Sequence, residues 1–128
     1  MQAEAEIFDT LELTRMAEVS DIGAGTIEAL NETADLLCRA YPSTPVATLR
    51  DRTKRRLQHV IRLVGGRSTL DQHRELLVVA AWLAALLGCL HYDLGEREEA
   101  EAPRQAACQW AKQAGNSELM GWAFEMSA

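Results

Sequence analysis

LLVVAAWLAALLGCL (residues 76–90) is the stretch whose reading decides the fold. It runs for fifteen residues without one charge or strongly polar side chain. A helix that is apolar all round has no face to offer water, so it belongs inside a packed structure. Length and the Ala and Leu content favour helix over a buried strand. The run is shorter than the roughly 18 apolar residues that suggest a membrane span. Charges flank it: Arg74 and Glu75 before, His91 to Glu96 after. The expectation is a central helix over about residues 69–94, packed round by others and not crossing a membrane.

Composition agrees. The 128 residues suffice for one domain with a real core. Apolar residues at 48% and charged residues at 25% are ordinary for a folded chain, and Ala, Leu, Glu and Arg outweigh the β-branched and aromatic types. The formal net charge of −6 makes the chain, taken whole, a poor nucleic-acid binder, because phosphate neutralisation carries most of that affinity. Three cysteines without paired spacing argue against a disulfide framework, and the acidic opening MQAEAE is not a signal peptide. A reducing cytoplasm is the simplest setting.

Working outward, the spacing predicts about six helices. Residues 3–19 place Ile7, Phe8, Leu11 and Met16 at helical intervals, and Gly23 and Gly25 then break the pattern. From Thr26 a stripe of Ile27, Leu30, Ala34, Leu37 and Cys38 resumes it, with Glu28, Glu32 and Asp35 off the stripe. Pro42 and Pro45 end that helix, and Thr44 with Pro45 reads as the cap and first residue of the next. The third helix covers residues 46–64, with Leu49, Leu57, Val60, Ile61 and Val64 inward and Arg50, Arg52, Lys54, Arg55, Arg56 and Arg62 outward. Ser68 or Thr69 should cap the central helix, and Gly95 should stop it. The fifth, residues 96–115, turns Ala100, Ala107, Trp110 and Ala111 inward. Pro103 predicts a kink there or a start near Ala102. Asn116 and Ser117 cap a sixth helix carrying Leu119, Trp122, Ala123 and Phe124. It has no terminator, so the chain reads as a fragment or relative of something longer.

No catalytic signature stands out: there is no Gly-rich phosphate loop, nucleophile elbow or zinc-protease pair. His59, His73 and His91 lie 14 and 18 residues apart, which matches no compact metal-ligand pattern. On one helix His73 and His91 would stand about 27 Å apart. No metal and no cofactor is expected. Cys89 lies in the apolar run, where burial should raise its pKa and leave it inert. The opening of the central helix, Arg67, Asp71, Gln72, His73, Arg74 and Glu75, could be the polar rim of a ligand pocket or simply a solvated first turn. The basic face of the third helix could serve an anion, an acidic peptide or a phosphate. Its default reading is pairing with Glu28, Glu32 or Asp35. Trp82, Trp110 and Trp122 could line a groove, though core packing is the commoner role.

Residues 87–111 resemble a tetratricopeptide repeat: Gly88, Gly95, Ala100 and Ala107 match its small-residue positions. The usual inter-helix tyrosine is His91 here, and Arg104 replaces the second helix's aromatic. RAYPSTPVATL (39–49), GGRSTLDQHRELLVVAAWLAALLGCLHYDLGEREEAEA (65–102) and AGNSELMGWAFEMSA (114–128) are together similar to the C-terminal, tetratricopeptide-like region of actinobacterial helix-turn-helix regulators of the XRE type. That resemblance implies a helical sensor and dimerisation region without chemistry of its own. The family's DNA-binding domain has no counterpart before Tyr41, and its helical region usually continues beyond residue 128.

These readings together predict an all-α domain of tetratricopeptide-like hairpins. Its expected function is non-enzymatic regulation through a protein, peptide or small-ligand partner, with homodimerisation and without direct nucleic-acid binding. The candidate ligand residues are Arg62, Gln72, His73, Arg74, Glu75, Trp82 and His91. The alternative is a small enzyme or accessory protein with a pocket beside the central helix.

Overall fold

The computed structural model describes residues 22–23, 25–116 and 118–119. Among them the chain is all-helical: α1 (Thr26–Arg39), α2 (Val46–Val64), α3 (Leu70–Asp93) and α4 (Arg97–Ala114). The expected first helix lies outside the described residues, and the sixth is described only at Glu118 and Leu119. Leu119 N–H donates to Asn116 Oδ1 at 2.9 Å, the bond an N-cap residue makes three positions ahead.

α3 is the hub. Twelve of its residues are buried, from Leu76 to Leu90, on every side of the helix. Leu76, Val79, Leu83 and Leu90 join Leu30 and Leu37 of α1 and Leu49, Leu57 and Val60 of α2 in the main core. Each such leucine contributes about 1.5–3 kcal/mol relative to an exposed one. Ala81 meets Ala111 and Leu119 in a second cluster on the other side. α4 packs most extensively on α3, whereas α1 and α2 both rest on α3 and hardly touch each other. At 24 residues, with an 18-residue window of mean hydropathy 1.8, α3 is long and apolar enough to cross a membrane, but 72% of that window is buried inside the fold. Packing against protein accounts for its composition.

The ends of α3 are set by local chemistry. Thr69, not Ser68, is its cap: Gln72 N–H donates to Thr69 Oγ1, and Thr69 N–H donates to Gln72 Oε1, both at 3.1 Å. This reciprocal pair is a capping box. At the other end Gly95 sits at φ +76°. Its N–H donates to the Tyr92 carbonyl, and Glu96 N–H donates to the His91 carbonyl, each at 2.9 Å. Those two bonds are a Schellman motif, and the left-handed residue it needs is least strained as glycine. Gly115, at φ +67°, closes α4 the same way.

Four expectations need correction. Pro45 rather than Thr44 stands at the N-cap of α2: the Pro45 carbonyl accepts the first helical bond, from Leu49 N–H at 3.0 Å, while the Thr44 N–H donates to the Ala40 carbonyl in the preceding turn. Of the two outcomes expected at Pro103, the later start is excluded: α4 begins at Arg97 and carries Pro103 inside it, so it does not begin at Ala102. The proline removes the donor that would reach the Glu99 carbonyl, and packing on α3 outweighs that loss. Ile61 is 43% exposed, and the α2 stripe turns inward through Thr53 instead. Cys38 is likewise exposed, at the edge of the α1 stripe.

Candidate functional site

Two concavities on the described surface bear on function. The larger of the two, about 820 Å³, is the groove left open between α1 and α2, which touch each other only slightly. α1 and its C-terminal turn supply Thr33, Leu36, Leu37 and Ala40; α2 supplies Leu49, Arg52, Arg55, Arg56, His59 and Arg62. Leu49 is fully buried and Leu37 nearly so, while Leu36 stands 64% exposed at the rim.

Helix geometry explains the division. At about 100° per residue, Leu49, Thr53, Leu57 and Val60 share one face of α2. Arg52, Arg55, Arg56 and Arg62 lie on the adjoining face, and Arg50 falls on the far side from them. Arg50 is accordingly the one engaged elsewhere: its Nη1 is 2.9 Å from Glu96 Oε1 and its Nε 3.0 Å from Asp51 Oδ1. The expected pairing of the basic face with α1 does not form. Asp35 instead holds Arg39 one turn along its own helix, at 3.1 Å. Glu28, Glu32 and Asp35 lie about a third of a turn away from the groove face of α1. Among the described residues Arg52, Arg55, Arg56 and Arg62 enter no ion pair. Arg52 faces Arg55 and Arg56 one turn away, and each such like-charge pair costs about 0.2–0.5 kcal/mol.

The seven residues expected to form one ligand site do not converge. Arg62 is on the groove. Gln72 and Glu75 border the second concavity, about 330 Å³, which Gly23, Gly25 and the start of α1 complete. The Gln72 side chain is also committed to the capping box. His73 is half-buried, and its N–H serves the Thr69 carbonyl as a backbone helix bond. Arg74 ties two elements together: its Nε donates to the Ala114 carbonyl at the end of α4, at 2.8 Å. Trp82 is half-buried and packs against the second apolar cluster.

His91 is a satisfied inter-helix histidine, with Nδ1 3.2 Å from Glu96 Oε1. Glu96 thus serves both Arg50 and His91. The Arg50 hydrogen bond, followed by that of His91, holds its carboxyl below the usual carboxylate range. Burial pushes the Cys89 thiol up. Among the described residues no group of three or more His, Cys, Asp or Glu side chains is placed to hold a metal ion.

Sequence reasoning picked out the basic face of α2 but missed the groove, and with it Leu36, Arg52, Arg55, Arg56 and His59 as one surface. The arginine spacing was the available signal. Which helix α2 would face was not in it. Comparison of the chain with protein-family models, curated proteins and solved structures found no match. The fold and groove define a class on their own terms: an all-helical domain built on a buried hub, with a cationic, leucine-edged groove between two outer helices.

Proposed function

We propose that this chain is a non-enzymatic regulatory domain of tetratricopeptide-like hairpins, part of transcriptional control in the cytoplasm. It binds a protein, peptide or small-ligand partner through the α1–α2 groove and self-associates. One observation carries the reading: the groove keeps four arginines outside any ion pair among the described residues, beside a leucine left exposed. Such an arrangement costs stability in the isolated chain, and a complementary partner recovers it. The α3–α4 hairpin supports the architecture, with Gly88, Ala100 and Ala107 buried and Gly95 in the turn, at the positions of the resemblance. Size-exclusion chromatography with light scattering and native mass spectrometry test it. The expected result is a concentration-dependent dimer or a retained ligand. A strict monomer without bound species at high concentration refutes self-association and ligand retention.

The second reading, a small enzyme or accessory protein, is favoured by the smaller concavity, where Glu75 and Gln72 stand at the entrance of the hub helix. A catalysed turnover lost in Glu75→Gln and kept in Arg55→Gln would establish it.

A further inference from the structure

The groove is specific about what can fill it. Arg52, Arg55, Arg56 and Arg62 follow one another at helical spacing along one edge, over about 15 Å at 1.5 Å per residue. A helix laid against that edge presents a side chain to it every three or four residues, so carboxylates at such intervals meet successive guanidinium groups. The other edge and the floor are mostly apolar: beside Thr33, Leu36 is 64% exposed, with Leu37 and Leu49 beneath it. We infer that the occupant is an amphipathic acidic helix of a partner protein, with leucine-type side chains on the face that meets Leu36 and carboxylates along the edge that meets the arginines. This rests on the reading above that the groove is the working surface.

Other anions fit less of it. An inorganic phosphate engages one or two guanidinium groups and leaves Leu36 in water. A duplex would satisfy the arginines, but it offers no apolar face to Leu36, and the chain taken whole, with a formal net charge of −6, disfavours a long polyanion. An amphipathic helix uses both edges at once, which is the helix-in-groove mode of recognition.

Fluorescence anisotropy with the full chain tests this. The probes are a labelled 18-residue helical peptide with leucines on one face and glutamates beside them, a scrambled peptide of equal composition, and a short DNA duplex. The designed peptide should bind at least tenfold tighter than the scramble and weaken as salt rises. Arg55→Glu/Arg56→Glu should lose at least tenfold and Leu36→Ala about fivefold, each with an unchanged circular-dichroism spectrum. The milder Arg55→Gln/Arg56→Gln replaces the reversal if that unfolds.

Equal binding of the scramble, tighter binding of the duplex, or indifference to both arginine variants overturns the inference. A further arm neutralises the acidic N-terminal stretch with Glu4→Gln, Glu6→Gln, Asp9→Asn and Glu12→Gln. Binding that appears only in that variant gives the groove to the chain's own N-terminus and overturns a partner helix. If the peptide fails while the native chain still dimerises or retains a ligand, the chemistry assigned to the groove falls and the regulatory reading stands.

Discussion

Two glycines at helix ends should respond to the same substitution with opposite signs. Gly95 follows α3 at φ +76°, and a Cβ added there meets nothing within 4 Å. The cost of Gly95→Ala is therefore conformational: a left-handed backbone costs an L-residue about 1–2 kcal/mol. The stiffer unfolded chain offsets part of this, leaving a net loss of about 1 kcal/mol. Gly65 ends α2 at φ −76° and ψ −9°, in the right-handed region. Its added Cβ would lie 3.7 Å from the Arg62 carbonyl and 3.8 Å from that of Ile61, ordinary contact distances. Gly65→Ala should therefore stabilise by about 0.4–1 kcal/mol through the unfolded state. The two variants should differ by about 1.5–2 kcal/mol in urea denaturation followed by circular dichroism, with unchanged m-values. Gly95→Ala as stable as the parent, or Gly65→Ala less stable, would refute the account of how these helices end.

Thr53 is fully buried, and among the described residues its Oγ1 alone is a buried side-chain polar atom without a hydrogen-bond partner. Thr53→Val keeps the shape, removes the stranded hydroxyl and should raise the unfolding free energy by about 1 kcal/mol. Thr53→Ser keeps the hydroxyl and loses a methyl, so it should lower it. The Glu96 carboxyl is held below its usual range in the fold, so the folded chain binds that proton less readily than the unfolded one. Its contribution is complete above the ordinary carboxylate pKa and is lost as pH falls through the lowered folded value. Glu96→Gln should flatten the rise of stability with pH across the acid range, and a slope identical to the parent's would count against the Arg50–Glu96–His91 cluster as its source.

Much of the architecture is legible in the residues themselves. An unbroken apolar run from Leu76 to Leu90 has nowhere stable to lie except among other helices. Thr69 with Gln72, and Gly95 one residue past the C-cap of α3, mark its ends by chemistry that acts within a few residues. Asn116 is legible as a cap for the same reason. The start of α4 at Arg97 was less so, because the penalty of Pro103 is local whereas the packing of Ala107 and Ala111 on α3 that outweighs it is not.

The candidate site shows the same boundary from the other side. The periodicity of Arg52, Arg55, Arg56 and Arg62 is visible in the sequence, and so is that of Glu28, Glu32 and Asp35. Their opposite charge suggested pairing across α1 and α2. Helix periodicity orders residues around one axis and says nothing about how two axes are rotated against each other. Only the packing of both helices on α3 set that rotation: it turned Leu36 towards the arginines, sent the acids elsewhere and joined Arg50 to Glu96 across 46 residues. The sequence by itself determined the helices, their buried faces and most of their ends, through interactions a turn or two long. The tertiary structure decided which faces meet, and therefore where the open cationic groove lies.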